Sequence, residues 1–442
     1  MTDAALIAGA TQPSGPGHAS GSTPKAPAAA KRLKARHAAE FRFRLYGRIA
    51  IIVALSFLVI LLGRIVSQGW STFVQNRISV AVYVDPAKVD ATALNGVNWD
   101  YMISTAALAK LGLTDDDVGE RSGKMSALLS PALGYDLLKK IKADPKLIGK
   151  TVTVDGPIGA DAGLYYKGLI KRSTTEGDRR LDDTQLGWLD RFKAKGQVTS
   201  TFNMDFLTHA DSTQPEQAGV AGAAIGSALT LIVVGLLAIP IGVLTAVYLE
   251  EFAPKNRWTD LLEVNINNLA AVPSIIYGLL GLALFINMLG VPRSTPLVGG
   301  LVLALMALPT VIIATRSALK AVPPSIREAA LGVGASRTQT VFHHVLPMAR
   351  PGIMTGAILA LSHAMGETAP GLMVGMVFFS SDLPRGFLSA ATVLPVQVFI
   401  WENASERAFL SMTAACIMVL LAFMILMNGT AIYLRSRYER RW

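Results

Sequence analysis

Two ionisable residues, His363 and Glu367, lie inside a long apolar stretch of the sequence. A separation of four residues places both side chains on one face of a helix. An ionisable side chain at the centre of a bilayer costs ~2.5 kcal/mol or more unless it is paired or wet, so such residues commonly mark a pathway for ions or substrate. A hydrogen-bonded pair that only joins two helices is the alternative. A metal site is disfavoured because the neighbouring sequence offers no third ligand.

A second distinctive stretch covers residues 328–334 and is followed by Leu346 and Pro347. Its residues are Glu328-Ala329-Ala330-Leu331-Gly332-Val333-Gly334. The pattern predicts a short helix, a glycine turn and a second helix that stops at the proline. The small residues allow a close approach to a partner surface, and donors on that partner can bind Glu328. We therefore expect a surface that a soluble partner contacts, with a plain amphipathic connector as the alternative.

The composition is that of a membrane protein rather than a soluble domain. Of the 442 residues, 51% are hydrophobic and 16% are charged, and the mean hydropathy is +0.42. The net charge of +10 does not indicate nucleic-acid binding, because the basic residues cluster beside the apolar segments. The single cysteine, Cys416, excludes a disulfide within the chain.

The order of polar and apolar segments divides the chain into parts. We expect a disordered basic cytoplasmic tail over 1–48, a first transmembrane helix over 49–67, a polar extracytoplasmic domain over 68–216, a transmembrane domain over 217–435 with a polar loop at 316–351, and a basic cytoplasmic C-terminus over 436–442. The first apolar run is interpreted as a spanning helix rather than a signal peptide, because a long polar stretch precedes it and Ser67-Gln68-Gly69 is only a weak cleavage pattern.

The polar domain is predicted to be a soluble α+β insert. Apolar side chains alternate from Ile78 to Val84, and residues 151–154 form a second strand-like run. Leu133, Leu137, Leu138 and Ile141 recur at helical spacing. Gly149-Lys150-Thr151 resembles the end of a phosphate-binding loop, but Asp144 occupies the position of the first glycine and a strand follows instead of a helix, so we do not expect a nucleotide site.

Five further apolar segments each approach or exceed the roughly 20 residues that span a bilayer. They lie at about 222–248, 268–290, 297–315, 352–378 and 408–434. Prolines at 240, 273 and 309 fall inside these segments, where transporters use kinks and freed carbonyls. The predicted fold is therefore an all-α polytopic membrane protein with six transmembrane helices plus the α+β insert.

The distribution of lysine and arginine predicts the orientation. If the N-terminus is cytoplasmic, the inside carries nineteen of these residues, in the tail, at Lys255 and Arg257, in the polar loop at 316–351 and from Arg435 to Arg441. The long polar domain is left out of the count, because the rule does not apply to long segments. The short loops on the other side carry only Arg293, Arg385 and Arg407. Both termini and the 316–351 loop are thus predicted to be cytoplasmic.

The stretch that starts at Glu328 resembles the EAA loop of ABC-transporter permeases, which has Glu-Ala-Ala, three residues, Gly, nine residues, an apolar residue, any residue and then Leu-Pro. His344 occupies the apolar position, and we expect the adjacent Val345 to take over its packing. In that family the first helix of the loop sits in a groove of the ATPase subunit and transmits its closure. The resemblance implies the ATPase-coupling residues Glu328, Ala329, Ala330, Gly334, Leu346 and Pro347.

The chain from about 218 to 434 resembles the PstA family, the A-type permease of the high-affinity phosphate importer. The resemblance rests on Gly366-Glu367-Thr368-Ala369-Pro370 and on residues 248–257, 271–278 and 392–397. Many members carry an arginine one turn before the glutamate, where this chain has His363, and a histidine is charged only if its surroundings allow it. The implied translocation-pathway residues are His363, Glu367, Thr368 and Pro370. The N-terminal parts resemble an extension found in some members, with no assigned activity.

That resemblance implies a type I importer permease whose last five helices form the core, in the bacterial inner membrane. The implied partners are a sister phosphate permease, an ABC ATPase dimer that binds the ATP, a periplasmic phosphate-binding protein, inorganic phosphate and membrane lipid, and not nucleic acid. The chain itself is then a non-catalytic subunit without a cofactor or metal.

Three other functions remain open. A permease for another oxyanion, such as sulfate or molybdate, would carry the same loop. A membrane receptor would use the outer domain, although no cytoplasmic stretch after the tail has room for an output domain. An intramembrane enzyme built on His363 and Glu367 would need a nucleophile or a metal set that the sequence does not offer.

Overall fold

The computed structural model describes residues 26–90, 93–113, 118–377 and 379–438, and the chain separates into two units, residues 1–63 and 64–442. The first unit contains most of helix α1 (Ala26–Gly69). Of the predicted disordered tail, residues 1–25 lie outside the described residues, but residues 26–48 are helical, so the prediction is wrong there. This stretch is rich in Ala and Arg, which favour helices, and Glu40 pairs with Arg44 four positions along.

The second unit begins with an α+β part, residues 70–216. Its antiparallel sheet has the strand order β2-β1-β3, with Val80 opposite Val154 and Ile78 opposite Val198. The strands are β1 (Val74–Tyr83), β2 (Thr151–Pro157) and β3 (Val198–Phe202). The helices are α2 (Trp99–Leu111), α3 (Val118–Ser126), α4 (Ala132–Ala143), α5 (Ala160–Tyr166), α6 (Asp183–Ala194) and α7 (Met204–Thr208).

The predicted alternation in β1 and the predicted helix at 133–141 are confirmed. Ile78 and Val80 are 1% and 0% exposed, and they belong to the same apolar core as Leu133 and Leu137 of α4. Thr151 begins strand β2 directly after the turn at Gly149, so no helix follows the phosphate-loop-like residues.

The remaining chain is helical. Its α-helices are α8 (Ala221–Val247), α9 (Arg257–Ala270), α10 (Ser274–Gly281), α11 (Pro296–Lys320), α12 (Pro324–Gly332), α13 (Arg337–Gln339), α14 (Leu346–Gly366), α15 (Ala369–Met373), α16 (Leu394–Glu402) and α17 (Ala408–Tyr438). Helices α8, α10 and α13 continue directly into π-helical turns at Tyr248–Phe252, Leu282–Met288 and Thr340–Val345. The last residues of the predicted C-terminal segment, 439–442, lie outside the described residues.

Within the described residues, five helices are long and apolar enough to cross a membrane, which makes the chain a multi-pass membrane protein. They are Arg36–Phe73, Ala221–Phe252, Pro296–Lys320, Arg337–Gly366 and Ala408–Arg437. A sixth span arises only if Arg257–Ala270 and Ser274–Met288, which bend by 102° at their junction, are counted as one.

That bend corrects the predicted continuous span at 268–290. Pro273 lies at the junction of α9 and α10 rather than inside a helix, whereas Pro240 and Pro309 are inside α8 and α11 as predicted. A proline ring disfavours helical geometry in the residue before it, so the break falls at residues 271–273.

The predicted span at 352–378 is also interrupted. Helix α14 ends at Gly366, Glu367 is extended with φ −81° and ψ 124°, and the short helix α15 follows. Pro370 has no N–H to give to the carbonyl of Gly366, and its ring would clash with that carbonyl in a continuous helix.

The α+β part contacts the end of α16 and the connection between α16 and α17. Arg180 forms an ion pair with Glu406 and donates a second hydrogen bond to the Ser405 carbonyl at 3.1 Å. The indole Nε1 of Trp401 donates to Asp211 Oδ1 at 2.9 Å, and Trp401 is 1% exposed. Burial raises the pKa of Asp211, while the Trp401 hydrogen bond opposes that shift.

Small residues let α11 and α14 approach each other closely. A Cβ placed on Gly356 would lie 2.2 Å from Ala314 Cβ, and one on Gly352 would lie 2.6 Å from Ala318 Cβ. The two contacts are one helical turn apart on both helices, which is the arrangement that brings membrane helices together through van der Waals contact.

We predict that Gly356→Leu destabilises the protein by about 1–3 kcal/mol, because the added side chain must push α11 and α14 apart. Thermal unfolding of the detergent-solubilised protein, followed by circular dichroism, measures the effect. Gly429→Leu on α17 is the matched control, since nothing lies within 4 Å of a Cβ at that position. Equal unfolding midpoints for the two variants would show that the close contact is absent.

Candidate functional site

The predicted coupling stretch forms helix α12 and the turn that follows it. Pro324 supplies a favourable first helical residue, and the helix ends in a turn where Gly334 has φ +89°. The Ala335 N–H returns to the Ala330 carbonyl at 3.1 Å, which satisfies a carbonyl at the helix end. Glycine is required at 334 because other residues avoid this conformation.

Helix α12 has one face against the protein and one face open. Ala330 is 6% exposed and Ile326 packs against the core between α8, α11 and α14. Glu328, Leu331 and Val333 are exposed, the last two by 48% and 86%. Two open apolar side chains lie beside a carboxylate that has no ion-pair partner among the described residues, and together they form a surface suited to a protein partner.

An arginine that the sequence analysis did not single out fixes α12 to the rest of the chain. Arg327 Nη2 lies 2.6 Å from Glu251 Oε1 and donates to the Leu319 carbonyl at 3.0 Å. Its Nη1 donates to the Val322 carbonyl at 2.7 Å. These carbonyls lie at the C-terminal end of α11, where a cation is favourable. We call Arg327 and Glu251 the α12 clamp.

A second ion-pair cluster lies beside the clamp. Arg316 of α11 pairs with Glu263 of α9 and, at 3.4 Å, with Glu250. Lys320 also reaches Glu250 at 3.7 Å. The adjacent acids Glu250 and Glu251 thus hold α11 and α12 separately. The sequence offered two adjacent acids, Glu250 and Glu251, and a basic residue, Arg327, next to Glu328, but 76 positions separate Glu251 from Arg327.

The predicted stop at Leu346-Pro347 is wrong. A π-helical turn at Thr340–Val345 leads directly into α14, so Pro347 lies inside the continuous helix Arg337–Gly366 rather than at its end. The predicted role of Val345 is confirmed, since it is 0% exposed while His344 is open to solvent.

The predicted pathway residues lie at the other end of α14. His363 Nε2 is 3.1 Å from Glu367 Oε1, so the expected pair forms. The side chain of His363 is 62% exposed and that of Glu367 is 23% exposed. Thr368 precedes α15 and is half-buried, and Pro370 is buried. His363 therefore presents its ring to the outside of this chain, while Glu367 turns inward.

Glu367 lines a small pocket together with Ser227 and Thr230 of α8 and Leu303 of α11. The Thr230 hydroxyl is buried and has no hydrogen-bond partner among the described residues. These two hydroxyl residues had no distinguishing motif in the sequence, because serine and threonine are common in membrane helices.

The two broken helices pack on each other. A Cβ placed on Gly278 of α10 would lie 2.8 Å from Met373 Cβ and 3.0 Å from Pro370 Cα. The Tyr277 hydroxyl donates to the Leu269 carbonyl at 2.7 Å and so closes the bend between α9 and α10. Two of the motifs that carried the family resemblance, 271–278 and 366–370, are therefore in direct contact.

Helix α14 joins the two predicted sites. It begins at Leu346, next to the coupling stretch, and ends at Gly366, next to Glu367. Its 21 residues span ~30 Å at the α-helical rise. Within the described ranges, no three His, Cys, Asp or Glu side chains are grouped so that they could hold a metal ion.

We predict that Arg327→Met destabilises the protein by about 3 kcal/mol, because it leaves the mostly buried Glu251 carboxylate without its partner. The double variant Arg327→Met with Glu251→Met should recover most of that loss, since no unpaired charge remains. Thermal unfolding midpoints measure both. Arg337→Met, on the exposed helix α13, is the control. A double variant no more stable than Arg327→Met would exclude the clamp.

The chain is similar to several known proteins. Residues 238–440 match the family of binding-protein-dependent transport system inner membrane components, and residues 30–176 match a domain of unknown function, DUF3333. Among solved structures, an inward-facing MetNI methionine ABC transporter is similar, with a TM-score of 0.41 and 20% identity over 49% of this chain and 95% of that one.

Two curated relatives are closer in sequence. The chain is 36% identical over 170 residues to the probable ABC transporter permease YqgI of Bacillus subtilis, covering 38% of this chain and 58% of that protein, so it spans little more than half of that relative. It is 33% identical over 230 residues to the phosphate transport system permease PstA 1 of Mycobacterium tuberculosis (strain CDC 1551 / Oshkosh), covering 51% of this chain and 74% of that protein. The chain therefore belongs to the PstA family of phosphate transport system permease proteins.

Proposed function

We propose that the chain is the permease subunit of an ATP-driven phosphate importer. The observation that carries the proposal is the position of two sites at opposite ends of α14, an exposed surface around Glu328 and the helix break at Glu367. The name of the Mycobacterium tuberculosis relative supports phosphate as the substrate. Sulfate or molybdate remains the competing substrate, because the coupling surface would serve any of these oxyanions.

The proposed pathway passes His363, Glu367, Thr368 and Pro370. A carboxylate at 367 repels an anion, so its role is to orient His363, with which it makes a 3.1 Å contact. The hydroxyls of Thr368 and Thr230 are candidate donors to the anion. Helix ends at the breaks near Pro273 and Pro370 add backbone N–H donors. His363, exposed in this single chain, would face the sister permease.

Import of phosphate requires an energy source. Phosphate carries a charge of −1 to −2, and its entry into a cell with a negative interior costs ~2.3 kcal/mol per charge per 100 mV. We infer that ATP bound by a separate ATPase dimer supplies this energy through α12. Ala329 and Gly334 would allow the close approach, the buried Ala330 would hold α12 against the rest of the chain, and Leu346-Pro347 would pass the movement to α14. The chain itself would be non-catalytic and would bind no cofactor.

The proposed arrangement in the inner membrane has both termini and α12 in the cytoplasm. The bent pair α9–α10 would count as the sixth span, and the last five spans would form the core of a type I permease. The α+β part would then be a soluble extracytoplasmic domain. A sister permease and a periplasmic phosphate-binding protein would complete the complex.

ATP hydrolysis by the assembled complex tests the substrate. The chain is reconstituted in vesicles with a sister permease, the ATPase and the binding protein, and phosphate is compared with sulfate. We expect phosphate-loaded binding protein to stimulate hydrolysis and sulfate to leave it at the basal rate. If sulfate alone stimulates hydrolysis, sulfate and not phosphate is the substrate. If neither anion stimulates it, the importer proposal is overturned.

The coupling surface gives a separate prediction. Glu328→Lys should reduce phosphate-stimulated hydrolysis at least tenfold, because it reverses the charge offered to the ATPase, while the chain still inserts and unfolds normally. Glu402→Lys makes the same change at an exposed site at the end of α16 and should leave stimulation unchanged. Equal stimulation in the two variants would remove Glu328 from the coupling surface.

A further inference from the structure

A basic pocket lies where the α+β part meets the connection between α16 and α17. Its volume is about 60 Å³, several times the space that one water molecule needs. Four basic side chains line it: Lys171, Arg179, Arg180 and Arg407. Asp161 is the one acidic side chain among the lining residues. None of these residues belongs to the proposed pathway or to the coupling surface.

Arg179 is built into the wall of this pocket. Its side chain is 4% exposed, and its guanidinium pairs with Asp183 and donates to the Arg172 carbonyl at 3.3 Å. The Nε group is buried and has no hydrogen-bond partner among the described residues. A buried donor without an acceptor is costly, so this group indicates that an acceptor is missing from the pocket.

The charges that line the pocket are not balanced. Arg180 is engaged with Glu406 and lies 3.9 Å from Asp161. Lys171 and Arg407 make no side-chain hydrogen bond or ion pair in the described part of the chain. Burial raises the pKa of Asp161, and the positive charges of Arg180 and Arg407 act in the opposite direction. The pocket therefore keeps an excess of positive charge that a bound anion would neutralise.

The rim of the pocket is apolar and close to the membrane. Leu169 is 57% exposed and, with Ile170, borders the basic residues. Arg407 immediately precedes Ala408, the first residue of the apolar helix α17. The pocket thus lies near the level of lipid headgroups at one end of a candidate span.

We propose that this pocket binds a phosphate-type oxyanion, supplied either by the headgroup of an anionic phospholipid or by free inorganic phosphate. Guanidinium groups offer paired donors that match the oxygens of a phosphate, and the Lys171 ammonium adds a point charge. A bound phosphate would connect residues 171–180 of the α+β part with Arg407 of the membrane part. The ligand would therefore reinforce the attachment that the Arg180–Glu406 pair begins.

Binding to the full-length chain in a neutral detergent tests the proposal. Native mass spectrometry counts phosphatidylglycerol molecules retained relative to phosphatidylcholine, and equilibrium dialysis with radiolabelled inorganic phosphate measures the free anion. The test variant is Lys171→Gln with Arg407→Gln, which spares both Arg179 and the Arg180–Glu406 pair. The control is Lys139→Gln with Arg191→Gln, two exposed basic residues of the α+β part that do not line the pocket.

We expect the test variant to weaken binding of one of the two probes at least tenfold, with the control unchanged and all unfolding midpoints equal. Loss of phosphatidylglycerol alone identifies a lipid headgroup as the ligand, and loss of inorganic phosphate alone identifies the free anion. Binding of phosphate in the transport pathway would be unaffected by either double substitution. The outcome of this test is therefore independent of whether the importer proposal holds. Retention of both probes by the test variant, or binding of neither by the wild type, overturns the proposed pocket.

Discussion

A membrane-spanning chain must satisfy its backbone hydrogen bonds without help from water, and this chain contains two interrupted helices. The breaks at 271–273 and at 367–368 leave backbone groups that hydrocarbon would not tolerate. The structure places the two interrupted segments against each other, with Gly278 in close contact with Pro370 and Met373. Tyr277 supplies a hydrogen bond to the carbonyl of Leu269 at the bend. Glu367 and Thr368 at the second break are partly buried beside that contact, whereas Ala271 and Pro273 at the first break are exposed in this single chain.

The polar end of the helical part is held together by ion pairs rather than by contacts between interrupted helices. Three basic side chains, Arg316, Lys320 and Arg327, bind the acids 250, 251 and 263 around the end of α11. This network orients α12 so that Ile326 and Ala330 are covered while Glu328 stays open. Because α14 packs on α11 through glycine–alanine contacts, a force on α12 reaches a closely packed helix pair rather than a flexible loop.

Local patterns in the sequence were sufficient for several elements. Alternation predicted strand β1, and the Glu328–Gly334 spacing predicted a short exposed helix with a glycine turn. The i, i+4 spacing of His363 and Glu367 predicted their contact. The prolines marked where breaks were possible. Whether a proline is accommodated inside a helix, as Pro240 is in α8, or separates two helices, as Pro273 does, depends on contacts with distant residues. The same is true of the α12 clamp and of the basic pocket, whose members come together only in the folded chain.

The most direct test of this account is radiolabelled phosphate uptake into vesicles that contain the assembled complex, with Gly278→Val compared with Gly429→Val. A valine at 278 must displace Met373 or Pro370, whereas one at 429 meets open space. The account predicts at least a tenfold loss of uptake for Gly278→Val, with normal insertion and assembly, and wild-type uptake for Gly429→Val. Wild-type uptake by Gly278→Val would contradict the claim that the contact between the two interrupted helices positions the transport pathway.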